Sequence, residues 1–434
     1  MEKVFSVLVG IGFYIFFFAR SGFSIEPIPV SYRFEPKPSR PLATYGSPSR
    51  DPKILARASG ALYLLAVSGT HSNSQLGLAI SHDGGDSFAP PTLISRKGGQ
   101  VSSHGENSPT FSFGNGIEAY TLWEERTGKS LGTELLFARS PNFGHRWLPP
   151  IRVTDKAAPS TNAFSSMTVS PRGHIYAVWL DGRNRAQGPP GTSSVYLAKS
   201  TDGGKSFAKN TAVVHGICPC CRPAVLADEE GVVHVSWRHV YPGNVRDMAV
   251  ATSQDGGKTF GNPVRVAYDN WKINGCPHAG ASMVRKDGRL WISWYSEGDG
   301  SNPGVRVSYS DDGGQSFSDS VLISGEILDA NHPSCALADD GRILIAFQGR
   351  DPVAKGGWSP TSPYIVEIRN SGQVSPPILV PGHQKSVSYP VVVGGSLGRL
   401  AVAWSEKDDD GQHQIRLVRG RRSTDVRAAG NGNN

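Results

Sequence analysis

Five cysteines occur as one cluster and two singletons: Cys218, Cys220 and Cys221 in Ile217-Cys218-Pro219-Cys220-Cys221-Arg222-Pro223, Cys276 in Cys276-Pro277-His278, and Cys335 just after His332-Pro333. Two chemistries are open to them. In an oxidising compartment thiols pair, and one of Cys218, Cys220 or Cys221 would join Cys276, with the odd total leaving at least one unpaired. As thiolates beside imidazoles they would ligate metal instead, through Cys221, Cys276, His278, His332 and Cys335, a soft donor set that favours copper(I) or zinc. No standard metal-ligand spacing decides between the two. No other cofactor is expected: there is no P-loop, and the glycine-rich stretches lack the strand and helix context of a dinucleotide fingerprint.

A second set of chemically capable residues is ionic. Arg50 and Asp51 precede Pro52, Glu106 precedes Pro109, Arg222 precedes Pro223, and Tyr389 precedes Pro390. Other charges follow short apolar runs, among them Glu124 to Arg126, Asp181, Arg183, Arg238, Glu297 and Glu406.

A repeat positions both sets. The octet Ser-x-Asp-x-Gly-x-x-aromatic starts at Ser81, Ser140, Ser200, Ser253 and Ser310, with Asn142 replacing the acid in the second copy; the starts are 59, 60, 53 and 57 residues apart. A turn glycine followed six residues later by an aromatic recurs at Gly173 to Trp179, Gly231 to Trp237, Gly288 to Trp294, Gly341 to Phe347 and Gly398 to Trp404. Upstream of these turns Pro52, Pro109, Ser166, Pro223, Pro277, Pro333 and Pro390 fall at intervals of 57, 57, 57, 54, 56 and 57. Seven units result, each reading as four short strands with alternating apolar and polar residues. Four-stranded units repeated at this period make an all-β propeller of seven blades. The 51 glycines and 31 prolines are the punctuation of that repeat and exclude a helical protein. Strand starts at the prolines and the loops after the second strands then share one face around a central channel, where ligands usually bind.

The octets are Asp-boxes, and over most of residues 50 to 420 the chain resembles the Asp-box (BNR-repeat) superfamily of sialidase-like propellers. The resemblance implies that the octets are scaffold, on the face opposite the active site. It also implies a glycan-directed hydrolase of the exo-sialidase type, in which three arginines hold the substrate carboxylate, a tyrosine activated by a glutamate is the nucleophile, and an aspartate is the acid/base. Arg50, in Ser49-Arg50-Asp51-Pro52, matches the first arginine, with aspartate in place of the isoleucine of the family's Arg-Ile-Pro motif. Arg222 occupies a similar rim position, and Arg238 and Arg126 are further substrate-binding candidates. Tyr389 is the nucleophile candidate, with Glu106 or Glu297 to activate it and Asp51 or Asp181 as acid/base. Sialidases have six blades, so register beyond the first unit does not transfer. The competing readings of these residues are rim salt bridges for Arg50 and Arg222 and blade packing for Tyr389. The competing functions are a non-catalytic propeller that binds a glycan or protein and a metal-binding propeller built on the cysteines.

The amino end reads as an address. Lys3 precedes an apolar run from Val4 to Phe18, and Gly22-Phe23-Ser24 supplies small residues for cleavage, so residues 1–24 form a signal peptide or, failing cleavage, an anchor. The body is therefore expected to be secreted or periplasmic, with no membrane contact after cleavage. Within residues 25–49 a strand near Ile28 to Phe34 is expected to complete the last sheet and close the ring, the propeller spans 50–420, and 421–434 is a solvated tail. A formal net charge of +7 without a basic stripe argues against nucleic acid as a partner, leaving a glycan or glycoconjugate. The sequence carries no sign of an oligomeric state.

Overall fold

The computed structural model describes residues 30, 32–35, 48–70, 72–96, 98–127, 132–155, 162–185, 191–298, 300, 302–352, 359–369 and 372–423. The segment read as a signal peptide and residues 424–434 of the tail lie outside them. The described residues form seven antiparallel sheets. From the channel outward, blade 1 consists of Ser49–Ala56, Leu62–Thr70, Asn73–Ser81 and Thr92–Leu93. Blade 3 is Asn162–Val169, Ile175–Asp181, Ser193–Ser200 and Thr211–Ile217, and blade 4 is Ala224–Ala227, Val233–Arg238, Met248–Ser253 and Val264–Arg265. Blade 5 is Ser282–Lys286, Arg289–Ser296, Gly304–Ser310 and Val321–Leu322; blade 6 is Leu328–Leu337, Ile343–Arg350, Ser362–Ile368 and Ile378–Leu379. Innermost strands of neighbouring blades touch one another around the ring and line the channel.

Two blades depart from the simple pattern. In blade 2 the inner strand is split into Val101–Ser102 and Thr110–Phe113, both paired with Ala119–Arg126, and residues 103–109 leave the sheet between them. Thr133–Ser140 and Ile151–Arg152 complete that blade. In blade 7, Val387–Gly394, Arg399–Lys407 and His413–Arg422 are joined by Tyr32–Phe34, which pairs antiparallel with Gly420–Arg422. The first and last of the described strands therefore share one sheet. Tyr32 is fixed further by its hydroxyl, which donates to Glu367 Oε2 of blade 6 at 2.6 Å.

There is no single core. Seven apolar clusters lie one in each gap between adjacent blades, such as Ile54, Leu64, Val391 and Ala403 between blades 1 and 7. The repeated aromatics Trp123, Trp179, Trp237, Trp294, Phe347 and Trp404 are fully buried in these gaps. A buried indole N–H needs an acceptor. In four blades the side chain two residues on provides it: Trp123 donates to Glu125, Trp179 to Asp181, Trp237 to His239 and Trp404 to Glu406.

The octets have a shared internal geometry. In Ser200 to Phe207, Ser200 Oγ donates to Asp202 and accepts the Gly204 N–H, while Asp202 accepts both the N–H and the hydroxyl of Ser206. The octet at Ser253 repeats this with Thr259 in the last position. These turns join third to fourth strands, at the end of the blades opposite the channel mouth.

Candidate functional site at the channel mouth

Near the start of the inner strand in every blade but the fourth, the backbone is kinked. Asp51, Phe164, His278, His332 and Tyr389 have φ between 48° and 58°, as does Gly105 with φ 56°. That left-handed region is unfavourable for side chains other than glycine, and aromatic residues there are outliers. The pairing register shifts at the same places in blades 1, 3, 6 and 7, so these are β-bulges that re-aim one side chain per blade. A side chain of the preceding blade receives three of the backbone N–H groups: Ser405 that of Asp51 at 2.9 Å, Asn107 that of Phe164 at 2.7 Å, and Gln348 that of Tyr389 at 2.8 Å.

The segment 103–109 fills the centre of this face and reaches all six other blades. Ser103 donates to Asp51 Oδ2 at 2.5 Å and the Gly105 N–H to Asp51 Oδ1 at 3.2 Å (blade 1). Asn107 accepts from Phe164 of blade 3, and Ser108 accepts from Arg222 Nη1, at the start of blade 4, at 3.1 Å. Glu106 Oε2 accepts the Gly280 N–H, at the start of blade 5, at 3.1 Å, and Glu106 Oε1 meets His332 Nδ1 of blade 6 at 3.0 Å. The Tyr389 ring of blade 7 lies against Gly105, where a Cβ would come within 2.3 Å of the ring, so only glycine fits. The His332 and Tyr389 rings are 4.2 Å apart between centroids.

Electrostatics follow from this enclosure. Burial alone would raise the Glu106 carboxyl, but the hydrogen bond from His332 and the charge of Arg222 outweigh it and bring it down to about 2. Burial and the neighbouring Glu106 and Asp51 carboxylates push the Tyr389 hydroxyl well above its ordinary value. Lys53, two residues beyond Asp51, is lowered to about 7 by burial and by Arg222, against the opposing pull of Asp51 and Glu106. Glu124 is raised to about 8 by burial despite the hydrogen bond from Asn107 Nδ2 at 2.8 Å, so it is protonated at neutral pH. A cavity of about 470 Å³ opens beside the cluster, its walls including Arg50, Asp51, His104, Tyr389 and His413.

Of the candidate catalytic residues, Asp51, Glu106 and Tyr389 come together here, with Arg222 beside them. Others do not. Asp181 is buried as the acceptor for the Trp179 indole at 2.8 Å and the partner of Arg183 at 2.7 Å, the role Glu125 and Glu406 play toward their own tryptophans. Arg238 is fully buried and spends its guanidinium on the carbonyls of Arg246, Ala279 and Tyr295. Arg50 donates to the carbonyls of Gly69 and Ser103, and Arg126 stands exposed at the end of a blade 2 strand. Glu297 accepts from Tyr295 at 3.1 Å. A clamp of three arginines is therefore not assembled from these four. Lys53 and Ser103 were missed by sequence reasoning; the bulge between Arg50 and Lys53 breaks the two-residue period that would have related Lys53 to Asp51.

The cysteines also regroup. All five are free. Cys218 Sγ lies 3.6 Å from Cys220 Sγ and 3.7 Å from Cys221 Sγ, and Arg246 Nη1 donates to Cys218 Sγ at 3.3 Å. Hydrogen bonds with Cys220 and Cys221, reinforced by the charge of Arg238, bring the Cys218 thiol down. Cys276, His278 and Cys220 place their ligand atoms within 4.8 Å of one another. His332 and Cys335 do not join: His332 is bound to Glu106, and the Cys335 thiol faces the Ser282 carbonyl and is pushed up to about 12 by burial.

No family model matches the chain, and no curated protein matches it. Solved structures do. A protein of unknown function from Dyadobacter fermentans is 15% identical, with a TM-score of 0.53, covering 76% of this chain and 97% of that one. A mutant of an α-L-arabinofuranosidase from Fusarium graminearum, bound to an iminosugar inhibitor, is 12% identical with a TM-score of 0.50, covering 72% of this chain and 92% of its own. The NanB sialidase from Streptococcus pneumoniae is 10% identical with a TM-score of 0.48, covering 92% and 93%. At these identities the likeness is one of fold.

Proposed function

We propose that the protein is an exported, sialidase-like Asp-box propeller that hydrolyses a terminal sugar from a glycan at the channel mouth. The observation that carries this reading is the convergence of Tyr389, Glu106 and Asp51, from blades 7, 2 and 1, beside a cavity wide enough for a sugar ring. In this reading Tyr389 is the nucleophile, Asp51 the acid/base, and ionised Glu106 the general base that takes the tyrosine proton as the phenol oxygen attacks. Arg238 is occupied by carbonyls and Arg222 by Ser108, whereas Arg50 lines the cavity with its Nη2 unpartnered, so Arg50 is the cation placed to meet an anionic substituent. That arrangement suits a neutral or singly anchored sugar better than a sialoside held by three arginines.

The test is turnover of a panel of fluorogenic sialosides, arabinosides and other neutral glycosides by folded protein at high concentration. Release of one sugar, abolished in Tyr389→Phe and Asp51→Asn, is the expected result; no release from any member would sink the reading. One observation favours non-catalytic glycan binding as the second reading: the Tyr389 hydroxyl is held up by burial and by two carboxylates, opposite to what a ready nucleophile needs. Glycan-array binding that persists in Tyr389→Phe, without turnover, would select it.

A further inference from the structure

We propose that Cys218, Cys220, Cys221, Cys276 and His278 form a two-lobed binding site for copper(I), in which the thiolate of Cys220 bridges an inner and an outer ion.

The inner lobe is the sulfur trio. Its separations of 3.6 Å and 3.7 Å are far longer than the ~2.0 Å of a disulfide and close to the ~3.8 Å between sulfurs bonded at ~2.3 Å around one tetrahedral ion. The three side chains are held by the fold: Cys218, Cys220 and Cys221 are at most 4% exposed, packed with Trp237 and Phe164 between blades 3 and 4. The outer lobe is Cys220 again with Cys276 and His278, the last two exposed at the channel face, which gives an ion a route in.

Donor chemistry and number choose the metal. Four sulfurs and one imidazole, with no carboxylate among them, form a soft set that discriminates against calcium, magnesium and manganese. Structural zinc takes four protein ligands in a tetrahedron. Among the described residues neither lobe has a fourth His, Cys, Asp or Glu donor within 4.8 Å of its other three. Three-coordination is ordinary for copper(I), and a thiolate shared between two ions is a habit of that metal. The guanidinium of Arg246, 3.3 Å from Cys218 Sγ, offsets the negative charge of a thiolate cluster and orients a ligand sulfur from outside. Binding is simple exchange: each ligating thiol gives its proton to solvent, and no oxidant or reductant is consumed.

The five ligands include none of Tyr389, Glu106 and Asp51, and the experiment reads metal uptake rather than turnover, so its result stands apart from that of the hydrolase test. The experiment titrates reduced, anaerobic protein with copper(I) in competition with bathocuproine disulfonate, follows the sulfur-to-copper ultraviolet band, and counts bound ions by native mass spectrometry. Wild type is expected to take two equivalents and Cys276→Ser/His278→Ala one, with Cys220→Ser losing at least the outer ion. Cys276 and His278 are exposed, so the double variant reports even if a buried Cys220→Ser protein fails to fold. Fewer than one equivalent in wild type, or uptake unchanged in the double variant, overturns the proposal. So does stoichiometric capture of zinc(II) in a parallel arm with copper(I) left to the chelator, or rapid closure of Cys218–Cys221 or Cys220–Cys276 disulfides by exchange with oxidised glutathione, which is reduced in turn.

Discussion

Glu106 Oε1 and His332 Nδ1 meet at 3.0 Å although 226 residues separate them and their blades stand three places apart around the ring. This contact, with the Gly280 N–H on the other carboxylate oxygen, spans the channel and ties its far sides together. Removing Glu106 leaves His332 and Gly280 without their acceptor inside protein. Glu106→Ala is expected to cost about 3–5 kcal/mol, the range for breaking one side of a buried pair. The sign of its pH dependence follows from a folded value of about 2 against 4.5. Stability from Glu106 is full above the unfolded value and is lost as pH falls from about 4.5 through 2. Urea midpoints at pH 7 and pH 3 should therefore converge between wild type and variant at the acid end; a gap that stays constant would refute the assignment.

Lys53 has the opposite habit. Its folded value of about 7 against 10.5 means that the folded protein binds fewer protons than the unfolded chain between those limits, so stability rises with pH across that window. Lys53→Met removes the effect. The variant should be the more stable protein at pH 6 to 7, and wild type should regain up to about 1.4 kcal/mol per pH unit toward pH 10. Denaturation curves for both proteins, parallel throughout this range, would show that Lys53 is not desolvated.

For Glu124 the raised value of about 8 makes the folded state hold its proton, and stability declines as pH rises from about 4.5 to 8. Glutamine mimics the protonated side chain and can still accept from Asn107 Nδ2. Glu124→Gln is expected to be near neutral at pH 5 and stabilising at pH 8, by about 4 kcal/mol at most. A variant that destabilises equally at both values would place an ionised carboxylate at this site.

Asp181 is expected to matter for folding rather than chemistry. Asp181→Ala strands the Trp179 indole N–H and removes one of the two carboxylates on Arg183, for a loss of about 2–4 kcal/mol. Turnover or ligand affinity per folded molecule should remain. Loss of activity in a variant whose melting temperature is unchanged would restore Asp181 to the catalytic set.

The blades were legible because their requirements repeat. Each needs a left-handed turn glycine, a buried aromatic and a capped octet, so Gly231, Trp237 and Asp255 announce one unit from local chemistry alone. The channel-mouth positions of Asp51, His332 and Tyr389 followed from register with their prolines. The hub was less visible. Blade 2 keeps Pro109 in register, yet the segment that leaves its sheet is marked by no repeat, and Glu106 finds His332 through tertiary structure only. Arg238 was misjudged for a related reason: from the sequence it is one more charge on a loop, whereas the carbonyls of Ala279 and Tyr295 that absorb it come from the next unit. Asp181 could have been recognised, since Trp179-x-Asp181 recurs as Trp123-x-Glu125 and Trp404-x-Glu406.

Because Tyr32–Phe34 lies beside Gly420–Arg422, the earliest ordered strand has no partner until almost the whole chain has been made. Blades can form locally as they emerge, but the ring is sealed by a pairing nearly 390 residues long in contour, and such non-local closure is slow. During synthesis the nascent protein is thus an open arc with two unsatisfied edges, a state that invites pairing with another molecule until the two ends meet.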